Sequence, residues 1–326
     1  MNGTTQPNKY SRMKRHDFRR HPPPGRLVDL GSHRLHIFAT GEGSPAVVMD
    51  SGLPGSVLSW CCVQPEVAKF TQACSYDRAG LGWSDAGPLP RTAEHIVEEL
   101  HALLKRAGIP PPYVLVGHSF SGLTARLFAA RYPEEVAGMV LVDPIGPDEW
   151  LFPTEEQKRE LRGAARLCRR GEWLARLGIA RWISLLVRLG AVRLAVIFVS
   201  SGALRGTESM LAPLEKLPRE FRSIVLLFWR QPKFYRALAS QIESLRESAE
   251  QVARAGVKAS WPMVVFSSRH TEPHRRTEQE ALAKSSPQGK HVVVAASGHW
   301  IQLDQPEAVA AAIREVVEAA REAARR

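Results

Sequence analysis

Several features that define common protein classes are missing from this sequence of 326 residues. It has four cysteines and no Cys-x-x-Cys pair, so neither a zinc-ligand spacing nor a disulfide framework is visible. No run of about 18 uninterrupted apolar residues predicts a membrane-spanning helix. The start of the chain lacks the apolar core of a secretory signal. From these absences we expect a soluble, cytoplasmic protein.

Other absences bear on cofactors and partners. No Gly-x-Gly-x-x-Gly run opens a helix after a predicted strand, and no Walker sequence occurs. No cluster of His, Cys, Asp and Glu has the spacing of metal ligands. We therefore predict no cofactor and no metal. Nucleic-acid binding is not expected, because the predicted strands lack a pattern of basic and aromatic surface residues.

The net charge of +11 is concentrated in two segments. Residues 1–26 carry seven Lys and Arg against one acidic residue, and residues 146–259 carry 20 against 12. The first segment is interpreted as a basic flexible tail, and the charges of the second fit the solvated faces of surface helices. Residues 182–198 mix arginines with apolar residues, which is also compatible with weak peripheral contact with a membrane surface.

On both sides of residues 146–259, short apolar runs alternate with stretches in which apolar residues have helical spacing. Runs typical of strands lie at residues 27–31, 34–38, 46–49, 74–77, 113–116, 136–142, 263–266 and 291–294, and helical spacing lies at 91–107, 123–131 and 306–320. The alternation predicts an α/β fold with a mostly parallel, doubly wound sheet, formed by residues 27–145 and 260–326. Residues 146–259, with few strand-like runs, predict a helical cap or lid inserted between two strands.

The strongest chemical signal is the run Val-Leu-Val-Gly-His-Ser-Phe-Ser-Gly at residues 114–122. An apolar strand enters a tight turn, and a helix follows. A serine at such a turn has a strained backbone and an exposed hydroxyl, which suits a nucleophile. Gly117 allows the backbones of this elbow to approach closely. We therefore predict Ser119 as nucleophile, with Ser121 replacing the last glycine of the usual Gly-x-Ser-x-Gly pattern.

A serine hydroxyl needs a neighbouring base to attack at neutral pH. His299 lies late in the chain, in the run Ser-Gly-His-Trp that follows the last predicted strand. This place before a helix makes His299 the predicted base. His118, next to the nucleophile, is expected to pack beneath it.

These motifs resemble the α/β-hydrolase fold family. The segments that carry the resemblance are residues 47–52, 75–84, 114–122, 138–144 and 298–306. Among them, the run Tyr-Asp-Arg-x-Gly-x-Gly-x-Ser at 76–84 is quite specific to the family. The resemblance extends from about residue 27 to 320, apart from the insertion. It implies hydrolysis of an acyl bond through a covalent acyl-enzyme.

Two backbone N–H groups hold the oxyanion in this family. The resemblance assigns them to Phe120, directly after the nucleophile, and to Leu53, in the loop after an early strand. Many relatives have His-Gly where this chain has Asp-Ser-Gly at 50–52, and the glycine is retained. Pro54 has no N–H and is excluded as a donor.

The acid that orients the histidine has two candidates. Family members usually place an aspartate in the loop after the strand at 263–266, but the loop at 267–273 contains none. Asp143 ends the strand that follows the elbow helix, an alternative position resembling that of some family members. Glu272 lies in the usual loop. Asp143 is the preferred prediction and Glu272 the alternative, since either carboxylate could stabilise the imidazolium.

Together these residues predict a serine hydrolase that cleaves an ester, lactone or amide bond of a small to medium apolar substrate. The serine at the elbow argues against the epoxide hydrolases and haloalkane dehalogenases of this fold, which use an aspartate there. The alternatives are an acyltransferase, a cofactor-free haloperoxidase or a C–C hydrolase on the same fold, or a binding protein that retains the scaffold. The sequence leaves the substrate and the oligomeric state open.

Overall fold

The computed structural model describes residues 21–179, 212–256 and 259–325. Its eight strands are β1 (Arg26–Asp29), β2 (Arg34–Thr40), β3 (Ala46–Asp50), β4 (Ala73–Tyr76), β5 (Tyr113–His118), β6 (Val136–Val142), β7 (Met263–Ser268) and β8 (Gly289–Val294). They form one sheet in the order β1-β2-β4-β3-β5-β6-β7-β8. Strands β3 to β8 run parallel, and β2 is antiparallel to both of its neighbours. The predicted mostly parallel sheet is confirmed.

Helices lie on both faces of the sheet. In the described residues they are α1 (Gln64–Val67), α2 (Ala93–Ala107), α3 (Ser121–Arg131), α4 (Asp148–Leu151), α5 (Glu155–Arg176), α6 (Ala212–Lys216), α7 (Arg219–Phe228), α8 (Pro232–Glu243), α9 (Leu245–Ala255), α10 (Pro273–Lys284), α11 (Ile301–Asp304) and α12 (Pro306–Ala324). Short 3-10 helices span Val57–Trp60 and Pro133–Glu135.

The core consists of two apolar layers separated by the sheet. Because successive strand side chains point to opposite faces, neighbouring residues of β5 contribute to different layers. Leu115 packs in the layer under α2 and α3, whereas Val114 and Val116 pack in the layer under α1 and α12. All six residues of β5 are buried. This central strand is therefore a rigid support for the turn that follows it.

The inserted segment, residues 146–259, contains α4 to α9 and lies between β6 and β7 in the chain. Its last helices attach to the sheet domain through serine hydroxyls. Ser240 accepts a hydrogen bond from the N–H of Arg91 and Ser248 from that of Ala93, both at 2.9 Å. None of the helices in the described ranges is both long and apolar enough to cross a membrane. Residues 182–198 and most of the predicted tail at 1–26 lie outside those ranges.

Candidate active site

The elbow that holds Ser119 connects β5 to α3. Ser119 has φ of 54°, in the left-handed region that is costly for a residue with a side chain. Its N–H donates to the carbonyl of Val142 at the end of the neighbouring strand β6, at 3.1 Å. A Cβ at Gly117 would lie 2.7 Å from the carbonyl oxygen of Ser121, so only glycine fits there. The turn expected from the sequence is present, and it places Ser119 beyond the carboxyl end of the sheet.

Ser121 stands where the usual pattern has its last glycine. Its side chain is fully buried, and its hydroxyl donates a 2.7 Å hydrogen bond to the carbonyl of Ser51. Ser51 belongs to the loop after β3, on which the predicted oxyanion donor Leu53 lies. The departure from the usual pattern therefore connects the elbow helix directly to that loop.

His299 and Asp143 meet across 156 residues of sequence. Nδ1 of His299 lies 2.7 Å from Oδ2 of Asp143. The Asp143 side chain is only 3% exposed, whereas that of His299 is 27% exposed. Burial disfavours the charged form of Asp143, but hydrogen bonds from His299, Thr271 and Gln279 outweigh it and hold the pKa of this carboxyl below its ordinary value. Asp143 is therefore an ionised acceptor, and Nδ1 of His299 is the donor.

Glu272 has a different place. It is exposed and directly precedes α10, for which it occupies the cap position. The loop after β7 instead sends Thr271 toward Asp143, with the Thr271 hydroxyl donating to Oδ1 at 2.7 Å. Of the two candidate acids, Asp143 is thus the one in hydrogen-bond contact with His299.

His118, which directly precedes Ser119, packs against His299 and Trp300. Its ring is fully buried, 4.7 Å from the rings of both His299 and Trp300. Nε2 of His118 lies 2.9 Å from the carbonyl oxygen of His299, which can only accept, so Nε2 carries a proton. Burial, reinforced by the nearby His299, lowers the pKa of His118 to about 3. The neutral ring therefore supports the backbone of His299 at neutral pH.

The two backbone donors expected for an oxyanion are Phe120 and Leu53. Within the described ranges, neither N–H makes an intramolecular hydrogen bond. A Cβ at Gly52 would lie 2.9 Å from Cβ of Ser119, so the loop after β3 reaches the elbow only because residue 52 is glycine. The loop and the elbow thus border the same space next to Ser119.

Arg78 is a site residue that the sequence reasoning did not single out, although it lies in the run at 76–84. Its Nη2 donates to the carbonyls of Ser51 and Gly52, the latter at 2.9 Å. Nε lies 3.5 Å from Oδ1 of Asp50, and the guanidinium lies 5.0 Å from the centre of the Phe120 ring. By binding the carbonyls, Arg78 orients the loop so that its following N–H groups point the other way.

A small apolar cavity of about 20 Å³ adjoins the loop after β3. Its walls are Pro54, Gly55, Ser56, Ser59, Gly82, Leu217, Val225, Phe228, Trp229 and Phe234. It therefore lies between the loop after β3 and helices α7 and α8 of the inserted segment. A larger groove of about 370 Å³ lies at the opposite end of β7 and β8, and none of the predicted site residues lines it.

No metal centre is apparent in the part of the chain that the structure describes. There, no group of three or more His, Cys, Asp or Glu side chains is arranged to hold an ion. The polar groups found at the carboxyl end of the sheet are instead the Ser119 hydroxyl, the paired His299 imidazole and Asp143 carboxylate, and backbone N–H donors. Such a set can activate a hydroxyl, orient the activating base and stabilise a developing oxyanion.

Comparison with known proteins agrees with the fold. The sequence model of the alpha/beta hydrolase fold family matches residues 45–306, and the chain belongs to this family. The match spans the elbow, the loop after β3, Asp143 and His299. It thus covers strands β3 to β8 and the inserted segment, but not β1 and β2.

Curated relatives match shorter segments. Uncharacterized protein YqjL of Bacillus subtilis is 35% identical over 121 residues, which are 36% of this chain and 48% of that protein. A putative carbamate hydrolase, RutD of Cronobacter turicensis, is 33% identical over 103 residues, 31% of this chain and 38% of that one. The chain spans less than half the length of these relatives.

Solved structures match over most of the chain at low identity. Cfl2 of Burkholderia cenocepacia has a TM-score of 0.67 at 22% identity and covers 90% of this chain and 95% of its own. A thermophilic esterase from Thermogutta terrifontis has 0.63 at 23%, with 90% and 98% covered. The enol-lactonase of Burkholderia xenovorans LB400 has 0.61 at 18%, with 90% and 100% covered. At these identities the likeness concerns the fold.

Proposed function

We propose that this protein is a serine hydrolase that cleaves an ester-type, lactone or amide bond of a small to medium apolar substrate. The observation that carries the proposal is the 2.7 Å contact between His299 and the ionised, buried Asp143. It lies at the carboxyl end of the sheet, where Ser119 occupies its strained turn on the neighbouring strand. A hydrolase is also what family membership implies at a coarser level.

In the first half of the reaction, Oγ of Ser119 attacks the substrate carbonyl carbon. The hydroxyl proton passes to Nε2 of His299, while Asp143 stabilises the imidazolium through Nδ1. The electron pair of the carbonyl bond moves to its oxygen, and the N–H groups of Phe120 and Leu53 hold the resulting oxyanion. Collapse of this intermediate breaks the bond to the leaving group, which takes the proton from His299.

In the second half, water attacks the acyl-enzyme. His299 accepts a proton from the water and returns it to Oγ of Ser119 as the acid product leaves. Each oxyanion donor of this kind contributes about 3 kcal/mol of transition-state stabilisation. We propose that the acyl group of the substrate lies toward the apolar cavity lined by Val225 and Phe228, because ligand sites are mostly apolar.

The test is covalent labelling with a fluorophosphonate probe, in wild type beside Ser119→Ala and His299→Ala. We expect stoichiometric labelling of the wild type and none of Ser119→Ala. The His299→Ala variant should label far more slowly, since its serine has no base. A matched control is Ser297→Ala, which changes a hydroxyl two residues from His299. Full labelling of folded Ser119→Ala would refute the mechanism.

Unlabelled wild-type protein is next assayed on p-nitrophenyl esters of graded acyl length. Product analysis in the presence of added alcohols and amines separates hydrolysis from acyl transfer. Free acid as the main product supports the hydrolase, whereas a new ester or amide as the main product would assign the acyltransferase alternative. A folded wild type that neither labels nor turns over would favour the non-catalytic binding protein.

A further inference from the structure

Beyond the residues that react, the structure contains a chain of buried polar groups behind Asp143. We propose that Gln279 on α10 is a positioning residue, which holds the Asp143 carboxylate toward His299 together with Thr271. Neither residue belongs to any motif of the sequence. The inference rests on the proposed function for its kinetic consequences, but the hydrogen-bond arrangement itself can be tested without turnover.

Gln279 is 2% exposed and lies in contact with Asp143. Its Nε2 donates to Oδ1 of Asp143 at 3.1 Å and to the carbonyl of Pro144 at 2.8 Å. Both partners are acceptors only, so the amide nitrogen must face them. The same Oδ1 accepts from Thr271, while Oδ2 remains directed at His299. Three donors thus determine the orientation of one carboxylate.

The orientation of the Gln279 amide is itself determined by a further pair of residues. Oγ of Ser267 donates to Oε1 of Gln279 and lies 2.6 Å from Nε2 of His291. A hydroxyl has one proton, and the amide oxygen can only accept it, so Nε2 of His291 must be the donor to Ser267. Burial lowers the pKa of His291, which is then neutral at pH 7 with its proton on Nε2. Every donor of the chain points toward Asp143.

This arrangement explains how the loop after β7 functions without an aspartate of its own. The loop supplies the hydroxyl of Thr271, and the helix that follows supplies the amide of Gln279. Hydrogen bonds to a charged acceptor are stronger than neutral ones, and a buried carboxylate is costly without them. The two residues therefore keep Asp143 ionised, and they prevent its carboxylate from rotating away from His299.

The choice of replacement at position 279 depends on the charge of Asp143. Gln279 is buried, and its Nε2 lies 3.1 Å from Oδ1 of the ionised Asp143. A glutamate at this position would keep its proton, because two carboxyl groups in contact in a buried site cannot both ionise. Such a carboxylic acid still donates a hydrogen bond to Asp143, whereas a leucine donates none. The two replacements therefore separate loss of the donor from a change of side-chain shape.

The test uses Gln279→Leu, which removes the donors, and Gln279→Glu, which is nearly isosteric and keeps one donor in its protonated form. Thr277→Ala on the exposed side of α10 is the matched control. We expect kcat for p-nitrophenyl butyrate to fall about tenfold to a hundredfold in Gln279→Leu, with KM changed far less, and to be largely restored in Gln279→Glu. The NMR resonance of the His299 Nδ1 proton, which is hydrogen-bonded to Asp143, should move upfield in Gln279→Leu. The control should match the wild type in all three quantities.

A purely structural role for Gln279 would lower the melting temperature without changing kcat relative to KM and without moving the His299 Nδ1 proton resonance. The proposal is overturned if folded Gln279→Leu keeps the wild-type kcat and an unmoved resonance. If Gln279→Leu does not fold, Ser267→Ala replaces it, and a smaller loss in the same direction is expected. If the wild type neither labels nor turns over, the proposed function fails, and the resonance in wild type and Gln279→Leu alone decides the inference.

Discussion

Ser119 and Asp143 occupy equivalent positions on neighbouring strands, and both have a left-handed backbone. They follow His118 and Val142, which are paired in the parallel register of β5 and β6. Their φ angles are 54° and 43°, and in the described ranges no other residue apart from glycine has a positive φ. Each conformation costs about 1–3 kcal/mol. The sheet keeps both because each N–H donates to the next strand, to Val142 and Phe266 respectively.

The first prediction separates the two candidate acids. We expect Asp143→Asn to lower kcat by roughly 10³- to 10⁴-fold, because an amide next to Nδ1 favours the wrong tautomer of His299. Glu272→Gln, at an exposed position in the usual acid loop, should leave kcat unchanged. Steady-state kinetics on a p-nitrophenyl ester measure both. A large loss in Glu272→Gln with Asp143→Asn active would reverse the assignment.

The second prediction concerns stability in acid. In the unfolded chain His118 has its ordinary pKa of 6.5, whereas in the folded protein burial lowers this pKa to about 3. The unfolded state therefore binds more protons between these values, and the free energy of unfolding decreases as the pH falls through this window. We expect His118 to account for about 2 kcal/mol of the loss between pH 7 and pH 5.

Urea denaturation at these two pH values checks the prediction, with His118→Gln as the variant. A glutamine amide can still donate to the carbonyl of His299 but does not titrate. The variant should therefore lose less stability than the wild type on going to pH 5. His274→Gln, which removes an exposed imidazole, is the control and should follow the wild type. Equal losses in all three proteins would contradict a neutral buried His118.

The third prediction concerns the oxyanion loop. Arg78→Lys keeps a positive charge next to Asp50 but loses the planar fork that binds the carbonyls of Ser51 and Gly52. We expect kcat to fall about tenfold to a hundredfold, because the N–H of Leu53 is no longer held in place. Binding of a boronic acid inhibitor should weaken in parallel. Arg34→Lys, at an exposed pair with Asp85, is the control. An unchanged inhibitor affinity would contradict this role.

The fourth prediction concerns substrate length. Val225 lines the cavity that adjoins the loop after β3. Val225→Ala enlarges this cavity, so the ratio of kcat/KM for p-nitrophenyl hexanoate to that for the acetate should rise about tenfold. Val292→Ala, on the exposed edge strand β8, should leave the ratio at its wild-type value. No change in Val225→Ala would place the acyl group elsewhere.

The sequence predicted the elements whose signals are local. The strand, turn and helix around Ser119 follow from an apolar run, a glycine and a helical pattern within about ten residues. Helix α5 was harder to delimit, because the sequence predicted only that residues 146–259 are helical, whereas α5 ends at Arg176. It passes Gly171, where a Cβ would lie 2.6 Å from the ring of Tyr235. Glycine at this position allows α5 to pack closely against α8. The spacing of apolar residues along one helix gives no information about such a contact between helices.

A break between two helices of the predicted helical segment has no signal in the sequence. Helix α8 ends at Glu243 and α9 begins at Leu245. No glycine or proline marks the junction at Ser244. Its N–H still donates to the carbonyl of Ser240, while Ser248 of α9 accepts a hydrogen bond from the sheet domain. Tertiary packing thus accompanies a boundary that no local residue indicates.

The sequence by itself determined the fold, the nucleophilic serine as a candidate and the histidine that follows the last strand. These predictions depend on the order and spacing of residues that are close together in the sequence, and this information is present before the chain folds. Only the tertiary structure decided three contacts: Asp143 with His299, Gln279 with Asp143, and Arg78 with the carbonyls of the loop after β3. Each joins residues that are 26 to 156 positions apart in the chain. Such contacts form only when the parallel strands bring their carboxyl ends to one edge of the sheet.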